Sequence, residues 1–461
     1  MTLIISSIIS GIITYIINEI ILHRTLFFYI LLFIICIIII LIYLKLFNNI
    51  YPGSRFLNDS NETSYITSKN ISETKKNILK LKEDIAYLEK KLDKADDKDD
   101  DGIEEFTNYF QCSKYKPLKN IETVFNKRNI SNSDDISKWD LYMPCGYNNV
   151  EDELKTIKKQ SGNAISLENR KIYAIDGCDF LASKNSLWTI FETAIGRSEA
   201  SKLMPQSFVI GNPHDIQQFK KSYKPGKLYF LKKNIQRKEG ILLTRDYNEI
   251  LEEATIGEYK IIQEAVENLY LINKRKINLR IYFLIICKNG TITGYLYKEG
   301  KCIYNNKDLN EDIKKLTNDR EDHLTSLNLD VSIYKQNPET LKQLNKHLGS
   351  YKYNLLWNRI ETIFKKLMSS IKQQNLICKQ ADIAEATRFQ LFGADVIFDK
   401  KFHPYLLELN KGPSMKYTTE TDEAMKIQLT DDIMAMAGTF DENDLNNATS
   451  RFIKVEDKIA S

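Results

Sequence analysis

Three oxygen-bearing side chains occur close together near the C-terminal end of the chain, on otherwise apolar segments. Asp395 lies within the run FGADVIF, and Glu408 and Asn410 follow in YLLELN. Asp and Asn are disfavoured inside strands, and a buried carboxylate is rare unless it is paired or bound to a metal. If the two runs form a hairpin, Glu408 and Asn410 share a face that Asp395 approaches from the neighbouring strand. Such hard ligands suit magnesium bound to phosphates, whereas a strand with a hydrated polar face is the alternative.

A second group of residues has the composition of a phosphate-binding loop. Lys232 ends the apolar run KLYFLK, Arg237 lies in the basic segment that follows, and Gly240 begins the next apolar run. Backbone N–H groups and Lys charges in such a loop can face an anion, so the segment predicts contacts to phosphates. A solvated turn between two strands would have the same composition.

Lys276, Asn278 and Arg280 occupy alternate positions where another long apolar run begins. If this run is a strand, the three side chains share one face. Lys and Arg side chains that point inward from a buried strand need an anionic partner, so they also indicate an anion site. A basic turn that precedes the strand is the alternative.

The elements that must position these residues alternate between strands and helices. Asn289-Gly290 separates two long apolar runs and is a strong hairpin signal. Helical periodicity predicts helices at residues 181–196 and 355–371. Apolar runs predict a strand followed by a turn at 171–178 and strands at 227–233 and 240–244. The pattern favours a mixed, largely antiparallel α+β body.

Residues 1–50 carry a membrane signal. Residues 26–44 contain no charged side chain and approach the length of about 20 residues that spans the hydrocarbon core, although a cleaved signal peptide is the alternative. Residues 3–22 are apolar with polar interruptions, which leaves open a second span or an interfacial helix. Lys45 and Arg55 favour a cytosolic C-terminal side. Three N-glycosylation sequons argue weakly for the opposite orientation: Asn58, Asn61 and Asn70.

Residues 51–105 are a polar stretch that contains a short heptad pattern. The apolar positions recur every seven residues, at Ile71, Ile78, Ile85 and Leu92, with Leu81 and Leu88 between them. Ile at the first position and Leu at the second favour a parallel two-stranded coiled coil, which would make the chain a dimer. A lone amphipathic helix is the alternative. The acidic run at 96–105 then predicts a solvated linker before the folded body.

The composition limits the partners and the chemistry. The chain has 461 residues and a formal net charge of +4, which is close to neutral for this length and does not point to nucleic acid. Its seven cysteines are widely spaced without a C-x-x-C motif, and its histidines are few, so no structural zinc site is expected. Reduced thiols in a cytosolic setting are the expectation.

Taken in order, these segments resemble the tubulin–tyrosine ligase-like family of ATP-grasp amino-acid ligases. The matching segments are RKEGIL, IIQEAV, KINLR, KLTN, FGADVIFD and YLLELNKGPSM, preceded by Lys232. The resemblance covers residues 139–438, and its last motif is the most specific. It implies an ATP-grasp fold behind the membrane anchor and stalk. The implied parts are an N-terminal domain at 106–210, a central domain at 211–270, a C-terminal domain with the metal site at 271–445, and a tail at 446–461.

The resemblance implies a ligase in which ATP phosphorylates a carboxylate and an amine then attacks the acylphosphate to form an amide. Lys276 and Arg280 would act in catalysis by stabilising the charge that passes between phosphate and carboxylate. The implied nucleotide ligands are Lys232, Arg237, Gly240, Gln263 and Asn278, and the implied magnesium ligands are Asp395, Glu408 and Asn410.

Some positions depart from the family pattern. Lys238 replaces a loop glycine, Glu264 replaces a Lys, and Asn278 replaces an Asp. Lys315 replaces a His, and Ile303 stands where the family has the Arg that holds the incoming amino acid. The metal set is intact, so the sequence predicts ATP and magnesium binding but does not identify the amino acid.

Family acceptors are acidic tubulin tails, so the implied partner is tubulin or another protein with an acidic tail. The basic residues that could face such a tail are Lys232, Lys233, Arg237, Lys238, Lys274 and Arg275. A degenerate ATP-grasp adaptor that binds nucleotide or microtubules without catalysis is the competing hypothesis, because an anchor and a coil suit an adaptor. The intact carboxylates favour the enzyme, with its body on the cytosolic side of a membrane.

Overall fold

The structure is a computed structural model that describes the greater part of the chain after residue 107. The described residues are 108–111, 118–133, 135, 138–144, 150–161, 166–234, 240–309 and 329–456. The predicted membrane span, coiled coil, acidic linker and sequons lie outside them, as do Arg237, Lys238 and Lys315. Within the described ranges, none of the helices is both long enough and apolar enough to cross a bilayer.

Strands and helices alternate along the described residues. The strands are β1 Asn108–Gln111, β2 Ser131–Asn132, β3 Leu141–Met143, β4 Lys171–Ile172, β5 Ser207–Val209, β6 Tyr229–Lys232, β7 Ile241–Thr244, β8 Ile261–Glu264, β9 Leu271–Ile272, β10 Arg275–Lys288, β11 Thr291–Tyr304, β12 Thr387–Phe398, β13 Pro404–Lys411 and β14 Phe452–Val455. The α-helices are α1 Lys119–Lys127, α2 Val150–Ser161, α3 Cys178–Ala182, α4 Lys184–Ile195, α5 Arg197–Leu203, α6 Pro213–Ser222, α7 Tyr247–Ile256, α8 Leu341–Leu348, α9 Ser350–Gln373, α10 Glu420–Met436 and α11 Glu442–Arg451.

One large mixed sheet organises these elements. Its strands follow the order β14-β11-β10-β12-β4-β3-β1-β2, with β13 paired to β12 and β9 paired to β10. The pairings among β9 to β14 are antiparallel, whereas β1 to β4 pair in parallel and β4 joins β12 in parallel. Such a sheet with its helices confirms the α+β expectation. Strands of the predicted N-terminal and C-terminal domains share it, and the domain limits stay predictions.

A smaller antiparallel sheet has the order β5-β8-β6-β7. β6 and β7, which correspond to the strands predicted at 227–233 and 240–244, pair antiparallel. Gly240 lies in their turn with φ +72°, and a Cβ there would approach the Lys233 side chain to 2.8 Å, so the turn requires glycine. Apolar residues on one face of this sheet pack against α6 and α7. Lys232 and Gln263 alternate with those residues and therefore project from the opposite face.

The long hairpin of β10 and β11 frames the site. Asn289 and Gly290 have φ values of +49° and +73°, the left-handed pair that a two-residue hairpin turn requires, so the predicted hairpin is confirmed. Both faces of β10 are buried: Ile281 packs in the core that contains α9, and Tyr282 packs in the core that contains α1 and α10. Burial on both sides explains the nearly continuous apolar sequence of this strand.

The helix predicted at residues 181–196 is interrupted. α3 ends at Ala182 and α4 begins at Lys184, because Ser183 between them has extended dihedral angles of φ −81° and ψ 128°. The break gives Lys184 the first position of a new helix.

The strand and turn predicted at residues 171–178 begin with a short strand, since β4 ends at Ile172. Asp176 leaves the sheet, and its carboxylate accepts hydrogen bonds from backbone N–H groups of Lys379 and Gln380. It also pairs with the buried Arg388 at 2.9 Å. These polar contacts replace the strand ladder at this point.

The described cysteines differ in whether they are paired. Cys287 in β10 and Cys378 after α9 are joined as a disulfide, with Cα atoms 6.4 Å apart, a separation typical of disulfides. Cys178 and Cys302 are buried and free. For this pair the structure departs from the expectation of reduced thiols.

Candidate active site

A row of four charged residues crosses four neighbouring strands. Lys301 in β11 opposes Arg280 in β10, Arg280 opposes Asp395 in β12, and Asp395 opposes Glu408 in β13. Directly opposed residues in antiparallel strands share a face, with Cβ atoms about 4.5–5.5 Å apart. Arg280 precedes Tyr282 by two positions, so the row lies on the sheet face that carries α10. Two cations thus adjoin two carboxylates on one surface.

Arg280 and Asp395 form a two-point ion pair at the centre of the row. The Arg280 Nε donates to Asp395 Oδ1 at 2.6 Å, and its Nη2 donates to Asp395 Oδ2 at 3.1 Å. Burial raises the pKa of Asp395, the adjacent Glu408 carboxylate adds to this, and the Arg280 charge opposes it. Burial alone would lower the pKa of Arg280, but Asp395 outweighs it and the pKa is raised. Arg280 therefore stays charged.

A β-bulge brings Glu408 onto the face of Asp395. Asp395 opposes Glu408 whereas Val396 opposes Leu406, so Leu407 is an extra residue in β13. The Asn410 Nδ2 donates to Glu408 Oε1 at 3.2 Å. The hairpin thus brings together all three residues that the sequence predicts as metal ligands.

This donor set fits magnesium. It contains two adjacent carboxylates and one side-chain amide, which supply hard oxygen ligands. The part of the chain that the structure describes contains no group of three or more His, Cys, Asp or Glu side chains arranged to hold a metal. A magnesium ion here would therefore depend on Asn410 and on phosphate or water oxygens in addition to Asp395 and Glu408.

Two lysines act on Glu408 from other elements. Lys184 Nζ in α4 lies 3.6 Å from Glu408 Oε2. Lys232 donates to Gln263 Oε1 at 2.6 Å, and Gln263 in turn donates to Ser207 Oγ at 3.0 Å. Burial lowers the pKa of Lys232 to about 8, against the opposing effect of Glu408. Burial would raise the pKa of Glu408, but the charges of Lys184 and Lys232 outweigh it, so this pKa is lowered.

Lys184 is not among the site residues predicted from the sequence. Its segment reads as an ordinary amphipathic helix, and no local motif connects it to a strand more than 200 residues away. One signal was present: a cation in the first turn opposes the helix dipole, so Lys184 is unfavourable there unless it serves another contact.

Lys276 and Asn278 lie on the same strand as Arg280, at positions whose side chains alternate onto its face. Both are buried, and Asn278 opposes Ile303 across the β10–β11 ladder. The strand therefore brings the two residues toward the row, and their roles in binding and catalysis stay predictions.

The basic residues predicted to face an acidic tail differ in exposure. Lys232 is buried against Gln263 and does not reach the surface, so the expectation is wrong for this residue. Lys233 pairs with Glu258, and Arg275 donates to the backbone carbonyl of Asn305 at 2.8 Å. Among the described residues of this set, burial or local pairing engages these three, whereas Lys274 is exposed.

Glu264, a departure from the family pattern, has a local partner. Its carboxylate lies 2.5 Å from Lys227 Nζ. Both residues line a cleft of about 510 Å³, together with Val266, Asn268 and Tyr405. Its described lining contains none of the predicted site residues, so Glu264 faces a surface distinct from the charged row.

Comparison with known proteins identifies the family. Residues 165–445, more than half of the chain, match the model of the tubulin-tyrosine ligase family. The chain belongs to the tubulin-tyrosine ligase family. The matched residues include Lys184, Lys232, the four-residue row and Asn410. The candidate site therefore lies within the part of the chain that matches the family model.

Curated relatives in this family carry related names at low identity. "Tubulin glycylase 3D" of Tetrahymena thermophila is 27% identical over 237 residues, which are 48% of this chain and 23% of the relative. "Probable tubulin polyglutamylase TTLL9" of Rattus norvegicus is 27% identical over 204 residues, 41% of each chain. "Tubulin monoglutamylase TTLL4" of Homo sapiens is 24% identical over 291 residues, 59% of this chain and 24% of the relative. The matches thus span between about a quarter and two fifths of these three relatives.

Proposed function

We propose that this protein is an ATP- and magnesium-dependent amino-acid ligase that forms an amide bond on a protein acceptor with an acidic tail, such as tubulin. The observation that carries the proposal is the row in which Asp395 and Glu408 adjoin Arg280 on one sheet face. Lys184 and Lys232 add cations at the carboxylate end of that row. The names of the glycylase and polyglutamylase relatives support amide formation on tubulin.

The proposed chemistry has two steps. An acceptor carboxylate oxygen attacks the γ-phosphorus of ATP, ADP leaves, and an acylphosphate forms. The amine of the incoming amino acid then attacks the acyl carbon, phosphate leaves, and the nitrogen loses a proton. Phosphoryl transfer depends mainly on positioning and on cations placed where charge develops.

The charged residues have distinct roles in this scheme. Arg280, held in place by its two bonds to Asp395, directs its guanidinium at the transferring phosphoryl group and the acceptor carboxylate. Lys184 and Lys232 neutralise phosphate oxygens from the side of the smaller sheet and α4. Gln263 orients Lys232 through the 2.6 Å hydrogen bond between them.

Asp395, Glu408 and Asn410 would hold magnesium, which when bound neutralises charge on the phosphates. The bulge at Leu407 serves this arrangement because it keeps Glu408 on the face of Asp395. The lowered pKa of Glu408 keeps that carboxylate ionised and able to act as a ligand.

The direct test is ATP- and magnesium-dependent incorporation of labelled glutamate, glycine or tyrosine into tubulin by the full-length chain. Glu408→Gln should abolish incorporation, because it removes a ligand charge with little change in shape. Glu258→Gln is the matched control, since Glu258 pairs with Lys233 away from the row, and it should retain activity. Absence of incorporation by the wild type would refute catalysis and favour the adaptor hypothesis. Equal incorporation by the wild type and Glu408→Gln would remove Glu408 from the catalytic site.

The proposal also places the catalytic body on the cytosolic side of a membrane, anchored by residues 26–44. Support comes from the uncharged length of that segment and from the basic residues that follow it. Glycosylation mapping tests the orientation: Asn58, Asn61 and Asn70 should remain unmodified in cells. Modified sequons would place the body away from cytosolic tubulin.

A further inference from the structure

A cluster of buried charges lies at the cationic end of the row. Lys301 Nζ is 2.5 Å from Asp422 Oδ2 at the start of α10 and 3.8 Å from Glu339 Oε1. Lys426, one turn along α10, lies 3.0 Å from the other oxygen of Asp422. The Asp422, Lys426 and Glu339 side chains are at most 6% exposed, whereas Lys301 is 12% exposed. Lys301 is thus the member of the cluster nearest to solvent.

Stability alone is a weak explanation for this cluster. Buried ion pairs lose much of their Coulomb energy to desolvation, and apolar residues of similar volume often serve as well or better. The phosphate chemistry proposed above also makes no use of Lys301. The energetics therefore leave room for a role that uses the charge of Lys301.

The strand register places Lys301 beside the reacting groups. It opposes Arg280, which opposes Asp395, so its side chain shares their face at one strand spacing from Arg280, about 4.8 Å. An α-amino acid carries its amine and its carboxylate on the same carbon. A carboxylate bound at Lys301 would therefore place the amine next to Arg280, where the acyl group would be activated.

The ammonium of Lys301 retains capacity for such a ligand. Asp422 accepts one hydrogen bond from it and the exposed Thr418 hydroxyl accepts another at 3.2 Å, whereas Glu339 lies beyond hydrogen-bond distance. The close contact with Asp422 fixes the position of the ammonium. Ile303, two residues further on the same strand face, is apolar and offers no competing charge.

We propose that Lys301 binds the α-carboxylate of the incoming amino acid, with Asp422 as the residue that positions its ammonium. The inference rests on the proposed function and names the substrate contact within it. It requires that the amino acid has a free α-carboxylate. The cation that β11 supplies is then Lys301, since Ile303 on the same strand carries no charge.

Binding rather than turnover tests this contact. The full-length chain, saturated with magnesium and a non-hydrolysable ATP analogue, is dialysed against labelled glycine, glutamate or tyrosine, and separately against the corresponding α-amides. Lys301→Met should weaken the binding of whichever amino acid the wild type binds by about 10- to 100-fold, the loss expected for one charge-assisted hydrogen bond. Binding of the amide should be weak and equal in the wild type and the variant, because the two changes remove the same interaction.

Control variants separate binding from folding. Lys298→Met is the matched control, because Lys298 is exposed on the same strand and donates to the Ser450 carbonyl at 2.6 Å, and it should bind as the wild type does. Lys301→Arg should retain binding within about tenfold, since the charge remains. The ATP analogue should bind Lys301→Met normally, which shows that the variant is folded.

The outcomes are distinct from those of the proposed function. Equal amino-acid affinity in the wild type and Lys301→Met would overturn the inference, while incorporation into tubulin could still proceed. Failure of the wild type to bind any of the three amino acids beside the analogue would also overturn it. The incorporation assay with Glu408→Gln decides the ligase activity independently.

Discussion

The lowered pKa of Lys232 predicts how nucleotide affinity depends on pH. Burial lowers its pKa to about 8, so the free protein loses this charge between pH 7 and pH 9. With a pKa of about 8 the cationic fraction falls about tenfold across that range. If ATP binds only the charged form, its affinity should be highest near pH 7 and about tenfold weaker at pH 9. A bound phosphate would itself favour the charged form, as an adjacent anion does.

The effect on stability has the opposite sign. The folded protein releases this proton near pH 8, whereas the unfolded chain holds it until about pH 10.5. Because the unfolded state binds more protons in this window, the contribution of Lys232 to the free energy of unfolding rises with pH there. Weaker nucleotide binding at pH 9 therefore does not arise from loss of the fold through this group.

Calorimetric titration of the magnesium–ATP analogue at pH 7, 8 and 9 measures the effect. Lys232→Arg keeps the charge across this range and should remove most of the slope. Lys232→Met should bind about tenfold or more weakly at pH 7 and show little further loss. A wild-type affinity that stays constant or rises between pH 7 and pH 9 would refute the assignment. So would an unchanged slope in Lys232→Met.

Three further substitutions have expected outcomes, and a fourth serves as a comparison for the first. A Cβ at Gly393 would lie 2.7 Å from the Pro413 side chain and 2.9 Å from Cδ of Arg280. Gly393→Ala should therefore reduce turnover at least about tenfold and destabilise the fold by about 1–3 kcal/mol. At Gly294 a Cβ would contact mainly the flexible Met368 side chain, which lies away from the row. Activity and thermal unfolding assays on Gly393→Ala and Gly294→Ala therefore separate the loss of turnover from the loss of stability. Arg388→Met leaves Asp176 as an unpaired buried charge, and denaturant titration should show a loss of about 3–5 kcal/mol. Lys184→Met should lower turnover without unfolding the chain; unchanged turnover would remove Lys184 from the site.

Local signals in the sequence account for much of the fold near the site. The left-handed turn at Asn289-Gly290 marks the long hairpin, and helical periodicity at 355–371 falls within α9. The break at Ser183 and the early end of β4 escape such signals. Both depend on contacts with distant segments, as in the pairing of Asp176 with Arg388 across 212 residues.

Some residues of the candidate site can likewise be predicted from the sequence, whereas others depend on contacts between distant segments. Asp395, Glu408 and Asn410 are visible in the sequence because polar residues interrupt apolar strands. The bulge that aligns the two carboxylates leaves no local signal, since Leu407 resembles any other strand residue. Lys301 depends on the register of β10 with β11 and on the docking of α10, which sequence spacing alone does not specify.

The most direct test of the proposed activity follows oxygen atoms from the acceptor. An acidic acceptor peptide labelled with ¹⁸O in its carboxylates is supplied with ATP, magnesium and the amino acid that the full-length chain incorporates. If the carboxylate is phosphorylated at the row of Asp395 and Glu408, each amide formed should release phosphate that contains one ¹⁸O atom. Amide formation that releases phosphate without ¹⁸O would contradict activation of the carboxylate by phosphoryl transfer.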